Sequence, residues 1–337
     1  MTLPATFTLN NGMTSPAVGV GTFQGESGNS KVKDAVKLAL KLGYKHLDGA
    51  CAYGNERGIG EAIKESGIPR EELFVTSKLA QTWHDPRDVE SALDVPLQDL
   101  QLDFSLSRLT SEVPHAYKAG ENTTTIRHPS GNGKPVIEHD RSRRYPETWQ
   151  AMEKLVDSGK ARSIGIANLS VLKSKRILEV ARIIRAVNQV EIYPYTLLDT
   201  FRQHERLEVS SKHGNLPMAH RPLGGRPIAA VRGHADKPFP TDDAVIVDIA
   251  AKYQVTPGQV CLTWAVQRGI PVIPKSTQEE HPKQNLQLRR LPDDLFKAVN
   301  TLATRLGPLR FLDPRRHIGF DIFDEEASAQ IPLQNAY

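Results

Sequence analysis

Three residues in the first quarter of the chain have the chemistry to move a proton. Asp48 ends a short apolar run, Tyr53 follows five residues later within LDGACAYGNERGIGEAI (47–63), and Lys78 lies at the end of LFVTSKL (73–79). A phenol titrates at about 10 and is a poor acid at neutral pH, but a neighbouring ammonium favours the phenolate and strengthens the acid. A carboxylate beside that lysine holds it charged and in place. Such a trio can protonate an alkoxide as hydride reaches a carbonyl carbon. The same residues equally suit a buried Asp48–Lys78 ion pair with Tyr53 packed at its edge, and local sequence does not separate the two readings.

The elements that must position them repeat along the chain. FTL, the turn Asn10-Asn11-Gly12 and a return strand predict a hairpin at about 6–16. AVGVG (17–21), KHLD (45–48), LFVTSKL (73–79), FSLSRL (104–109), ARSIGIAN (161–168), AVNQVEI (186–192), LPMAH (216–220) and IPVIP (270–274) then alternate with helical patterns, one of them expected through 202–212. Eight strand–helix units in succession predict an α/β fold closed as a (β/α)8 TIM barrel over about 17–305. The whole chain, 1–337, reads as a single domain with an N-terminal hairpin cap and a tail at 306–337. No Gly-x-Gly-x-x-Gly opens a helix after the first strand, which argues against an open dinucleotide-binding sheet.

Parallel closure puts every strand's C-terminal end on one rim, where catalytic groups collect. The long polar stretches 115–145 and 221–241 are expected as loops leaving that rim. Two local features run against the pattern. Ser105, Ser107 and Arg108 interrupt the fourth strand and make it a poor one. Pro96 falls inside the third helix, where it costs about 3 kcal/mol unless a kink absorbs it.

Composition narrows the function classes. The chain is 39% hydrophobic and 24% charged, ordinary globular material, with a net charge of +4 and a pI of about 8.9. Its longest basic run is Arg141-Ser142-Arg143-Arg144, so no nucleic-acid partner is expected, while a mild positive charge suits anionic ligands. Cys51 and Cys261 are too few for a disulfide framework and wrongly spaced for zinc, so no metal is expected. MTLPATFTLNNGM lacks a charged leader and no 18-residue apolar run occurs, so the expectation is a cytoplasmic protein with no membrane contact.

LDGACAYGNERGIGEAIKESGIPREELFVTSKL (47–79) resembles the aldo-keto reductase signature, Asp-Thr-Ala-x-x-Tyr-Gly-Asn-Glu followed by a strand ending Ser-Lys-Leu. MEKLVDSGKARSIGIANLS, AVNQVEIYPY, LTWAVQRGIPVIPKS and HIGFDIFDEE match further family segments in order, with fungal members the nearest in character. The resemblance implies NADPH as cofactor and reduction of an aldehyde or ketone, a small-molecule carbonyl substrate, and a monomer or weak homo-oligomer. A tailoring role in secondary metabolism would suit the fungal likeness.

Residue by residue, the resemblance makes Tyr53 the general acid, Lys78 its activating partner and Asp48 the anchor of that lysine. It sets Asn168 and Gln189 against the nicotinamide carboxamide, Lys275 and Ser276 on the 2′-phosphate, Gln284 and Asn285 at the adenine, and Gly21 and Thr22 beside the cofactor. His220 stands where an aromatic ring stacks under the nicotinamide, and His281 where an arginine flanks the adenosine phosphate.

The family's substrate-orienting histidine after strand four has no counterpart. Counting forward from Leu102-Asp103 puts Ser111 there, counting back from Pro114-His115 puts Glu112 there, and His115 itself is the nearby imidazole. Ala167 replaces the serine before Asn168, and Gly49 the threonine after Asp48. Two other readings follow. Glu112 would suit reduction of an enone C=C bond, as in the steroid-reducing branch that the site resembles. The missing groups would also suit a degenerate dinucleotide-binding barrel with little or no turnover.

Overall fold

An antiparallel hairpin opens the chain: β1 (Thr6–Thr8) pairs with β2 (Thr14–Pro16). Its turn depends on Gly12, whose φ of 82° is the left-handed region open to glycine. The structure is a computed structural model that describes residues 2–24, 26–110, 125–130, 134–196, 215–225, 238–276, 278–307 and 309–312.

Eight strands follow: β3 (Val20–Gly21), β4 (His46–Asp48), β5 (Phe74–Lys78), β6 (Ser105–Thr110), β7 (Ala161–Ala167), β8 (Val187–Glu191), β9 (Leu216–His220) and β10 (Val272–Ile273). They lie in chain order and each pairs in parallel with the next. The two ends of this sheet also meet. Val18 bridges Val272 in parallel, Gly19 N donates to Val272 O at 2.8 Å, Val272 N to Ala17 O at 2.9 Å, and Gly21 N to Pro274 O at 3.0 Å. The sheet therefore closes into the expected (β/α)8 barrel.

Helices α1 (Val32–Lys41), α2 (Glu56–Ser66), α3 (Val89–Leu100), α4 (His139–Arg143), α5 (Tyr145–Asp157), α6 (Val171–Val180), α7 (Ala244–Tyr253), α8 (Pro257–Gln267), α9 (Glu280–Asn285), α10 (Asp293–Asn300) and α11 (Leu302–Leu306) complete the described elements. Apolar spacing sets their inward faces: α1 buries Val32, Val36, Ala39 and Leu40. Side chains mark some starts, as where the Thr256 hydroxyl and the Gln259 amide form a capping box ahead of α8.

Strand four is better formed than its polar sequence predicts. β6 pairs with β5 and β7 together, at the cost of one register irregularity between Ser105 and Leu106. Backbone ladders on both flanks hold a strand whose side chains do not advertise it. The cost expected at Pro96 does not end the third helix. α3 runs through it because Val89, Ala92, Leu93 and Leu97 bury one face against Trp149 and Met152 of α5. Each leucine buried there contributes about 1.5–3 kcal/mol, enough together to offset one missing hydrogen bond and a ring clash.

Part of the 115–145 stretch is ordered rather than irregular. Arg127 bridges Pro135 antiparallel, His128 N donates to Lys134 O at 2.8 Å, Val136 N to Ile126 O at 2.9 Å, and α4 follows. Ser111, Glu112 and His115, the helix expected through 202–212 and the tail beyond 312 lie outside the described residues.

Candidate active site

Strand alternation builds the site. Along β5, Thr76 and Lys78 point one way and Ser77 the other, as the two-residue period requires. Asp48, the last residue of β4, is the register partner of Thr76. Its carboxylate therefore receives both inward groups: Thr76 Oγ1 donates to Oδ1 at 2.7 Å, and Lys78 Nζ to Oδ2 at 2.5 Å. Across the barrel, Gln189 Nε2 of β8 donates to Asp48 Oδ1 at 2.9 Å. Lys78 Nζ also donates to Gly49 O at 2.8 Å. Both members of the ion pair are buried, so their attraction is weakly screened.

Tyr53 ends a single 3-10 turn, Cys51–Tyr53, that leaves the rim after β4. Gly54 closes that turn at φ 63°, and Asn29 Nδ2 fixes the loop by donating to Tyr53 O at 2.9 Å. The half-buried Tyr53 ring lies with its centroid 5.3 Å from Lys78 Nζ, within cation–π range. Phe23 packs against the same ring, centroids 5.0 Å apart, and stays 42% exposed. No motif singles out Phe23 in the sequence, although it lies only two residues past Gly21 and so falls on the rim once β3 is placed in the barrel.

The remaining expected residues fall into two further groups. Thr22 is tied to the acid–base cluster, its N and Oγ1 donating to Asp48 O at 3.1 and 3.0 Å. Asn168 follows β7 in the left-handed region, φ 54°, and its Oδ1 lies 2.7 Å from His220 Nε2 at the end of β9. That contact assigns the proton of His220 to Nε2, since the amide oxygen can accept but not donate. Burial, then the charges of Arg221 and Lys78, hold the imidazole down to about 3, so it is neutral at physiological pH.

The last group sits after β10. Lys275 is exposed, and Ser276 Oγ lies 3.2 Å from His281 Nδ1 while accepting Gln278 N at 3.1 Å. Gly21 presses against this loop: a Cβ added there would stand 3.1 Å from Ile273 O and 3.6 Å from Lys275 Cβ. Gln284 is half-buried, with its carbonyl accepting Gln259 Nε2 at 3.1 Å. Asn285 is buried and hydrogen-bonds the Tyr44 hydroxyl, partly offsetting the burial that pushes that phenol up.

Outward from β5, Ser77 Oγ donates to Glu56 Oε1 at 2.6 Å. Burial pushes the Glu56 carboxyl up to about 7, against the Ser77 hydrogen bond, with Asp99 raising it further and Lys78 lowering it. Gly49 leaves room for this arrangement, since a Cβ there would meet Thr76 O at 3.3 Å and Ile59 Cδ1 at 3.4 Å. Among the described residues no cluster of His, Cys, Asp and Glu is arranged to hold a metal ion, and no helix is long and apolar enough to cross a membrane.

The sequence matches the profile of the Aldo/keto reductase family over residues 17–304. Aldo-keto reductase family 1 member A1 of Gallus gallus is 40% identical over 285 residues, covering 83% of this chain and 82% of that protein. The proteins of the same name from Pongo abelii and Homo sapiens are each 40% identical over 318 residues, 91% of this chain and 93% of theirs.

Proposed function

From the premise that the chain belongs to the aldo/keto reductase family, and is an oxidoreductase of carbonyl compounds using a nicotinamide cofactor, we propose that it reduces an aldehyde or ketone with NADPH and Tyr53 as general acid. The observation that carries this reading is the buried Asp48–Lys78 pair, 2.5 Å apart, with Lys78 Nζ 5.3 Å from the Tyr53 ring.

The chain's own groups fit the cofactor. Lys275 and Ser276 of the loop after β10 and His281 of α9 supply an ammonium, a hydroxyl and an imidazole for a 2′-phosphate. Gln284 and Asn285 flank the adenine end. Gln189 spends its amide nitrogen on Asp48, which leaves Oε1 to accept from the carboxamide. Asn168 spends Oδ1 on His220, which leaves its amide N–H groups to donate. Gly21 and Thr22 let the backbone approach closely, and the His220 ring offers a neutral stacking face. When bound, NADPH supplies the hydride.

Asp48 orients Lys78, and the ammonium stabilises negative charge on the phenol oxygen. Tyr53 then gives its proton to the carbonyl oxygen as charge develops there, and solvent returns it afterwards. General acid catalysis of this kind contributes about 10²–10⁴ in rate. Phe23 packs beside Tyr53 and adds an apolar surface to the site there.

NADPH oxidation against a panel of aldehydes and ketones tests this reading. The expected result is turnover by the wild type, loss of about 10²-fold or more in kcat for Tyr53→Phe, and unchanged NADPH binding by nicotinamide fluorescence. Binding without turnover across the panel would instead favour the degenerate barrel.

A further inference from the structure

We infer that the N-terminal face of the barrel, opposite the rim, holds a second binding site for a free organic anion with an apolar body, anchored by Arg162. The proposal does not depend on the function proposed for the rim.

A groove of about 730 Å³ runs between the hairpin and the segments that enter β4, β5 and β6. That volume lies within the roughly 300–1,000 Å³ of small-molecule sites. Leu3, Met13, Phe74 and Leu286 give it apolar walls, and Arg70, Phe104 and Arg162 line it as well. Because the strands are parallel and rise about 3.3 Å per residue, the five to seven residues of β5 and β7 separate this face from the rim by on the order of 20 Å.

Two guanidiniums lie over one ring. Arg70 Cζ is 4.3 Å and Arg162 Cζ 3.4 Å from the Phe104 centroid. Their roles differ. Arg70 is committed to structure, its Nη groups donating to Leu73 O and to Phe104 O. Burial and then the charge of Arg162 hold Arg70 down to about 10, so the two cations feel one another. Arg162 is exposed, and among the described residues its guanidinium has no hydrogen bond or ion pair. Stacking on Phe104 orients it while leaving its N–H groups available.

The groove's carboxylates do not neutralise it. Glu72 is taken by Lys45 at 2.7 Å, and Glu71 is exposed and acts on Arg70. Three cations therefore face two carboxylates in the lining. A neutral ligand would bury apolar surface but leave Arg162 unanswered. A bare inorganic anion would answer Arg162 but leave the apolar walls wet. An alkyl or aryl carboxylate does both, with its head group bidentate on the guanidinium.

The test is calorimetric titration of the full chain, saturated with NADP⁺, with dodecanoate kept below its micellar concentration. Saturable binding is expected. Arg162→Gln, an exposed change that keeps the melting temperature and carbonyl turnover, should weaken it by about tenfold or more, the loss expected for a charge-assisted hydrogen-bond pair. Dodecanol should bind about tenfold more weakly than dodecanoate, and Tyr53→Phe should leave dodecanoate binding unchanged. Absence of saturable binding, equal affinity in Arg162→Gln, or competition by a carbonyl substrate would overturn the proposal.

Discussion

Three donors converge on Asp48: Thr76, Lys78 and Gln189 all donate to its carboxylate. Asp48→Asn leaves the Lys78 ammonium buried without its counter-charge, and breaking such a pair costs about 3–5 kcal/mol. Denaturant unfolding should show that loss. Glu56 makes a second prediction at this scale. Its carboxyl is raised from 4.5 to about 7, chiefly by burial. At low pH both folded and unfolded states carry the proton and nothing is lost. As pH rises from 4.5 towards 7 the unfolded chain ionises while the folded one keeps its proton. Stability from this group therefore falls across that window, by about 3 kcal/mol in all. Glu56→Gln should flatten the pH dependence of the melting temperature over that range, and an unchanged profile would contradict the burial argument. Asp48 and Lys78 were legible in the sequence because strand ends in a barrel converge. The links from Gln189 to Asp48 and from Ser77 to Glu56 were not, since each joins residues far apart in sequence whose facing depends on strand register.

Elements meet most tightly where glycine allows it. A Cβ on Gly60 of α2 would stand 2.5 Å from Leu100 O and 2.6 Å from Asp99 O at the end of α3. Gly60→Ala should force these helices apart and cost about 1–3 kcal/mol, measurable by thermal melting. Pro96→Ala acts in the opposite sense. Restoring an N–H to the interior of α3 and removing the ring clash should stabilise by about 1–3 kcal/mol. Strand and helix positions followed from apolar periodicity nearly everywhere. β6 was the exception, because ladder pairing by its neighbours holds it and side-chain pattern carries no record of that.

Across the whole molecule, closure between the first strand region and β10 brings Gly21 and Lys275 side by side, joining the acid–base cluster to the loop proposed for the 2′-phosphate. Lys275→Met should raise the Kd of NADPH by about tenfold while leaving NADH unaffected, which fluorescence titration would read directly. The architecture was legible because eight strand–helix repeats leave few alternatives. The N-terminal groove was not, since Arg70, Phe104 and Arg162 come from three separate segments that no local motif connects. The central claim is that Lys78 makes Tyr53 an effective proton donor. It is tested most directly by kcat for carbonyl reduction against pH in the wild type and in Lys78→Met, with NADPH saturating. The account predicts a fall of about 10²-fold or more in the variant, with the basic limb of the wild-type profile displaced to higher pH. A variant that kept the wild-type rate and profile would contradict it.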